Sequence, residues 1–538
     1  MQKSWYQDKV LLAILLAAAV LALANLGDRH FWGDEVHLLN LGKSIAQHGL
    51  PVVDDELKAI ESTYEIDDLT QKTFSETLTY GIRIAGKDVY SLHPWLVSYV
   101  VAPLIAAFGP HEEFLLRLPF VLIGLLAIPI TFALALCLSK KRRVALLSAA
   151  LLAGSVAYLL ALRNANYYGL ILFAVPTVLL CYLRTLEDVR HAWWQFALVG
   201  TMLFHSQWLV FMGTMLGIAA HFVIFHRNLP DIKRIARPLA GIFILTFPWF
   251  VLTGQFAKTS AFSTPMQYLS LLSISAYHFV LWFVPLILLV FVPRLIVSGK
   301  RRWKIDQGYA LLALTILLSL LFTSLNYYTG TPIRYYYGLL PLAMILNATI
   351  IDKFWKWNRI GAVMLVILLV TTNIVHVLPL LPFKPLLIMA AGSQDVLGTG
   401  AEAQTSFVEK TIRPRVLTAE YLFEITHNVV SPTQAIMDAI LNASTKGKEL
   451  FVGVGDANTI GYYTGLRPAT YANNFKTRTY DWIVLSTDDE RNTQVDRQTF
   501  TRAWVPYGPE RWGDTADPVH HVFRTSQKEG FYLYRRKA

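Results

Sequence analysis

Three observations predict a polytopic α-helical membrane protein, with about eleven transmembrane helices, interfacial helices in its first external loop, and a soluble α/β domain at its C-terminus. Hydrophobic residues make up 54% of the 538-residue chain and charged ones only 16%, more apolar surface than a soluble core could use. Apolar runs of roughly 16 to 25 residues recur, as at 10–26, 114–138 and 362–381, the length a helix needs to cross hydrocarbon. After about residue 383 these runs stop and the chain turns polar.

The first run, 10–26, is followed by Gly27-Asp28-Arg29-His30 and has no clean small-residue cleavage site, so it is read as a retained helix. Basic clusters stand at Lys140 to Arg143, Arg227 to Arg237, Lys300 to Arg302 and Lys353 to Arg359, and the positive-inside rule places all four in the cytoplasm. If 10–26 runs outward, residues 28–91 are external and the single crossing at 114–138 brings Lys140 back inside. The intervening segment 93–108 is short and carries Pro94 and Pro103, so it is expected to lie re-entrant or interfacial against the bundle. Alternation continues with crossings near 144–161, 169–184, 192–207, 209–225, 238–254, 276–297, 307–325, 336–351 and 360–381. The external face then receives the 28–113 loop, residues 163–168, residues 326–336 and everything after about Pro382.

This divides the chain into a membrane module, 1–382, and an external, periplasmic domain, 383–538. Strand-like runs at 450–454, 481–485 and 531–534, with helical stretches between them, give that domain its α/β character. No internal repeat, Gly-rich phosphate loop, Cys/His metal spacing or nucleophile elbow is present. The net charge of +11 is used up in the short segments between apolar runs, so no nucleic-acid partner is assigned. Cys137 and Cys181 both lie inside apolar runs and are read as small core hydrophobes.

Four polar groupings fall on the external face. Asp34 and Glu35 open an amphipathic segment just after the first helix. Adjacent carboxylates at a membrane surface can act as general base, metal ligand or acceptor for a sugar hydroxyl, and equally can cap a helix N-terminus. His93 stands in Leu92-His93-Pro94-Trp95, where loop meets bilayer. Arg163 and Tyr167 lie in one mouth between helices, Arg334 and Tyr335 in another. An arginine near hydrocarbon needs an anion, and a lipid phosphate is one; snorkelling to headgroups beside an interfacial tyrosine belt is the plain alternative.

The order of these motifs resembles the GT-C superfamily of glycosyltransferases, in particular the branch containing protein O-mannosyltransferases and the aminoarabinose transferases that modify lipid A. Asp34-Glu35 is similar to that family's first-loop acidic pair, and Leu92-His93-Pro94 to its His-Pro-Pro or Lys-Pro-Pro motif, with Trp95 in place of the second proline. Arg117-Leu118-Pro119 is similar to its Arg-Leu-Pro, Arg163 with Tyr167 to its Arg-x-x-x-Tyr, and Arg334-Tyr335 to its late Arg-Tyr. Asn164 and Asn166 stand where some relatives carry a second acidic residue, which argues against a tightly held divalent cation; no cofactor is assigned. The resemblance implies transfer of a sugar from a polyprenyl-phosphate donor to a lipid, glycan or protein acceptor, with inversion at the anomeric carbon. Asp34 would be the base; Glu35, His93, Arg163, Tyr167, Arg334 and Tyr335 would bind substrate. The competing reading is a transporter or flippase for a lipid or lipid-linked sugar, which calls for ionisable groups at mid-bilayer and repeated halves.

Overall fold

A computed structural model of the protein describes residues 8–53, 82–91, 93–226, 228–253, 265–286, 306–324, 332–378, 381, 385, 414–427, 432–443, 449–452, 457–469, 480–485, 495–496, 498–507 and 529–537. The chain divides into two compact units. One comprises Met1–Leu23, Phe120–Arg163 and Tyr167–Leu422; the other comprises Ala24–Pro119, Asn164–Asn166 and Phe423–Ala538. Residues 28–113 and the part of the polar tail from Phe423 onward therefore fall in one unit, while residues 383–422 fall in the other.

The first unit is helical. Among the described residues five helices are long and apolar enough to cross a membrane: Glu113–Ser139, Tyr168–Leu186, Trp208–Phe225, Leu229–Leu252 and Arg334–Trp355. A sixth span is formed if the pair Arg142–Gly154 and Val156–Leu162, bent by 62°, is taken together. Helices Lys9–Leu23, Gln307–Thr323 and Arg359–Thr371 are apolar but shorter; at 1.5 Å per residue they reach roughly 20–26 Å, against about 30 Å of hydrocarbon. Tyr168–Leu186 is buried on nearly every side. Leu229–Leu252, by contrast, leaves Phe243, Ile244, Leu245, Phe247 and Leu252 exposed, a face that only lipid could cover at low cost.

Close packing replaces apolar driving force where lipid is the solvent. A Cβ on Gly213 would come within 2.6 Å of the Ser319 Cα, and one on Gly217 within 2.4 Å of the Thr315 Cα. Helices Trp208–Phe225 and Gln307–Thr323 thus touch backbone to backbone through a Gly-x-x-x-Gly stripe. Charges gather at one end of the unit: Lys141 and Arg143 both pair with Asp352, and Arg142 pairs with Asp8 at 2.8 Å. At its other end helix Lys9–Leu23 offers the Leu21 carbonyl to Tyr421 and the Ala22 carbonyl to Arg163.

Several helices depart from their expected limits. The run at 360–381 is broken after Thr371 and resumes as a short helix, Ile374–Val377; at the break Asn373 exchanges hydrogen bonds with the backbone of Arg415. The 144–161 crossing is broken at Ser155, which is extended. Helix Pro265–Trp282 begins well before residue 276, and residues 287–305 lie outside the described residues.

In the second unit, helix Leu96–Phe108 spans about 20 Å and packs along helix Gly33–His48. Ser98 Oγ donates to the Leu38 carbonyl, and Gly42 lies against Val101 and Ile105. A small hairpin, β1 (Ile82–Ile84) and β2 (Lys87–Val89), precedes it. The tail forms a five-stranded sheet from β3 (Glu449–Val452), β4 (Arg467–Ala469), β5 (Trp482–Leu485), β6 (Phe500–Tyr507) and β7 (Glu529–Arg536), in the order β4-β3-β5-β7-β6. β3 runs parallel to β4 and β5, while β7 is antiparallel to β5 and β6. Alternate residues fill its two faces: Leu450, Val452, Trp482, Val484, Phe531 and Leu533 pack with Ile436 and Ile460 of the neighbouring helices, and Phe451, Ile483, Leu485 and Tyr534 pack on the other side. The runs at 481–485 and 531–534 fall on β5 and β7, and that at 450–454 falls on β3 as far as Val452, residues 453–454 lying outside the described residues; β4 and the edge strand β6 carry no comparable apolar run.

Candidate active site

Helix Gly33–His48 places the acidic pair in its first turn, where the helix dipole favours negative charge. The two carboxylates have different surroundings. Glu35 is fully buried and accepts four hydrogen bonds: from Arg117 Nε at 2.9 Å and Arg117 Nη2 at 2.8 Å, from the Ala165 N–H at 2.7 Å and from the Trp32 N–H at 3.2 Å. Four is the full acceptor capacity of a carboxylate. The bond to Trp32 is the reach-back half of a capping box, so of the two acids Glu35 is the one that caps the helix. Asp34 is half-buried.

Arg117 is equally committed. Beyond its fork on Glu35 it donates to the carbonyls of Leu26, Arg29 and His30, which accounts for all five guanidinium N–H groups. Its Cζ also lies 4.8 Å from the Phe31 ring centroid. An ion pair this deep is tolerable only because no lone pair or proton is left unmatched. The pair therefore fixes the irregular segment 26–32 that leads into Asp34. Trp32 adds a bond from its indole Nε1 to Asn164 Oδ1 at 2.9 Å, which ties the 164–166 turn to the same place.

This geometry revises the expectation for Glu35: its oxygens are filled by protein donors, so it positions the loop and has no lone pair left for a sugar hydroxyl. Asn164 likewise spends its carbonyl on Trp32. Among the described residues no three His, Cys, Asp or Glu side chains cluster as metal ligands would. His93 is half-buried and lies in ring contact with Tyr90, at 6.2 Å, and with His37, at 6.5 Å. His37 stands three residues after Asp34, on the same helix face, so His93 and the acidic turn share one surface of the unit.

The arginine–tyrosine groupings belong to the helical unit. Tyr167 and Tyr335 are brought together, stacked with centroids 6.4 Å apart and planes 18° from parallel. Tyr167 also meets Tyr168 edge-on, and Tyr168 meets Tyr337. Arg163 is half-buried and donates to the Ala22 carbonyl at 3.1 Å. Arg334, also half-buried, precedes Tyr335 in the 3-10 turn Pro332–Leu339.

Sequence reasoning included Arg117 only as part of a resemblance and gave it no role. The signal was nonetheless there, since an arginine within Leu115-Leu116-Arg117-Leu118 must find a buried partner. The donors from Trp32 and Ala165 are backbone groups, which no side-chain pattern reveals.

The chain is similar along its whole length to ArnT from Cupriavidus metallidurans. Against that protein bound to undecaprenyl phosphate the TM-score is 0.52 at 12% identity, covering 97% of each chain; against its apo state the TM-score is 0.51 at 13% identity, covering 97% of this chain and 96% of that one. A weaker likeness, TM-score 0.43 at 11% identity over 90% of this chain and 70% of the other, is found to the archaeal oligosaccharyltransferase AglB from Archaeoglobus fulgidus, solved with an inhibitory peptide and a dolichol-phosphate. No protein-family model matches, nor does any curated protein sequence. The likeness is one of fold: the chain shares the fold of ArnT over nearly its full length.

Proposed function

We propose that this chain is an integral membrane glycosyltransferase that moves a sugar from a polyprenyl-phosphate donor to a lipid, glycan or protein acceptor. The observation that carries the reading is the division of labour in the acidic pair. Glu35 is saturated by Arg117 and backbone donors, while Asp34 stands beside it in the first helical turn with surface still exposed. Such an arrangement holds one carboxylate rigidly in place for work as a general base. The full-length likeness in fold to a protein crystallised with undecaprenyl phosphate supports the donor class.

In this mechanism Asp34 takes the proton of the acceptor hydroxyl or amine as it attacks the anomeric carbon. The bond from that carbon to the phosphate oxygen breaks and polyprenyl phosphate leaves, with inversion. Charge grows on the phosphate as the bond breaks, so a guanidinium aimed at it favours the transition state over the ground state. Arg334 is the first candidate; Arg163, which already donates to Ala22, is the second, and His93 the third. Tyr167 and Tyr335 would line the donor site. The reading places about eleven crossings in an inner or plasma membrane, with the N-terminus cytoplasmic and both the acidic loop and the tail on the external, periplasmic face. The ion pairs of Asp8 and Asp352 sit at a helix end, which favours an enzyme over a flippase that needs charge at mid-bilayer.

The test is transfer of radiolabelled sugar from undecaprenyl phosphate carrying mannose, glucose or aminoarabinose into membrane extract by the purified protein. Label in a lipid, polysaccharide or protein fraction identifies the acceptor; no transfer from any donor points to the transporter instead.

A further inference from the structure

Helix Ala457–Thr464, in the tail, holds the backbone of the segment that leads into Asp34. The Tyr463 hydroxyl accepts from the Phe31 N–H at 3.1 Å and donates to Glu113 Oε1 at 2.7 Å. Thr459, one turn earlier on the same helix face, donates from Oγ1 to the Phe31 carbonyl at 2.9 Å. Both polar backbone groups of Phe31 are therefore held by the tail. The contact extends on either side: the His30 ring packs against Tyr463 with centroids 4.4 Å apart, and Tyr462 donates to the Pro110 carbonyl. Burial, together with the neighbouring Glu113 carboxylate, pushes the Tyr463 phenol far above its ordinary range, so it remains a donor at any physiological pH.

These bonds complete a set. Segment 26–32 lies between helices, and side chains hold it instead: Arg117 takes the carbonyls of Leu26, Arg29 and His30, Tyr463 and Thr459 take Phe31, and Glu35 takes the Trp32 N–H. Asp34 follows Phe31 by three residues. We propose that Thr459 and Tyr463 are positioning residues for Asp34, so that the tail is part of the transfer machinery and fixes the loop that presents the base. The catalytic half of this proposal rests on the reading of Asp34 given above; the structural half does not.

The experiment uses the full-length protein in nanodiscs and two readouts, hydrogen exchange of peptides covering residues 26–36 and steady-state transfer from the undecaprenyl-phosphate sugar that the wild type uses. Tyr463→Phe and Thr459→Val should each speed exchange in 26–36 by roughly tenfold or more, since one backbone group loses its partner, while the exchange of β3, β5 and β7 stays unchanged. The kcat should fall by roughly 10- to 100-fold, as misplacement of a base does, with the donor KM within about twofold of wild type. Thr459→Ser should restore both. Thr464→Val is the control, because its hydroxyl donates to the Ile460 carbonyl and accepts from the Leu466 N–H, both in its own stretch of the tail and neither in 26–36. Unchanged exchange at 26–36 in Tyr463→Phe and Thr459→Val overturns the proposal whatever the activity, and faster exchange with unchanged kcat overturns its catalytic half. Absence of transfer by the wild type would sink the functional reading, while the exchange readout still decides whether the tail holds the loop.

Discussion

In the helical unit, six buried serine and threonine hydroxyls turn back on their own helices: Thr131, Ser148, Thr177, Thr185, Thr214 and Thr246 each donate to the carbonyl four residues earlier, although Tyr158 and Asp352 reach to other helices. In the loop-and-tail unit, buried polar groups reach far along the chain. Arg117 and Glu35 are 82 residues apart, and Thr459 meets Phe31 across 428. The difference reflects what surrounds each unit. A helix with lipid-facing surfaces satisfies its backbone within itself, many of its hydroxyls follow, and it associates through close backbone contact. An irregular segment has no partners of its own and borrows them from other elements.

The comparison is broken most directly at Arg117. Arg117→Ala leaves Glu35 buried without its arginine and strips three carbonyls of their donor, so it should destabilise the loop-and-tail unit by about 3–5 kcal/mol, seen as a lowered unfolding temperature in detergent. Arg117→Lys should rescue little, because an ammonium has three donors and no fork. In the helical unit the largest loss should come from size. Gly217→Leu drives a side chain into the Thr315 backbone and should cost about 1–3 kcal/mol or more, measured the same way. Thr214→Val removes a hydroxyl whose carbonyl partner is already in the helix ladder, and should cost less than about 1 kcal/mol; a loss comparable to Arg117→Ala would erase the contrast between the units.

The smallest effect is one of pH. Desolvation against Tyr462 and Tyr463 lowers the His111 pKa, with the Glu113 charge opposing it and Lys43 and His30 adding to it. A depressed histidine is protonated more readily in the unfolded state, so its contribution is present above the ordinary value of about 6.5 and lost as pH falls through the folded value. Acidification from pH 7 to pH 5 should therefore slightly lower the protection of residues 108–113 relative to the intrinsic exchange rate at each pH, and His111→Asn should remove that dependence.

Much of the helical unit is legible in the sequence, because its determinants are local. Hydropathy alone marks Tyr168–Leu186 and Trp208–Phe225, and the basic cluster at Lys140 to Arg143 marks the end where Asp8 and Asp352 gather. The breaks at Ser155 and Thr371 are not legible, since each depends on a neighbour distant in sequence: Gly154 packs on Val370, and Asn373 bonds Arg415. The candidate site is legible only in part. Asp34 and Glu35 stand out as a pair, but what separates their roles is Arg117 and two backbone N–H groups, one of them at Ala165. The same holds for Tyr463 and Thr459, whose value lies in meeting Phe31, a residue with no polar side chain to draw attention.

The central claim is that Asp34 is the base and Glu35 its support. It is tested most directly by transfer of radiolabelled sugar from an undecaprenyl-phosphate donor in wild type and Asp34→Asn, with hydrogen exchange at residues 26–36 as the check on the fold. Asp34→Asn is expected to keep wild-type protection and to lose transfer by roughly 10²- to 10⁴-fold, the usual share of a general base. Transfer by Asp34→Asn at the wild-type rate, with the loop equally protected, would contradict that claim.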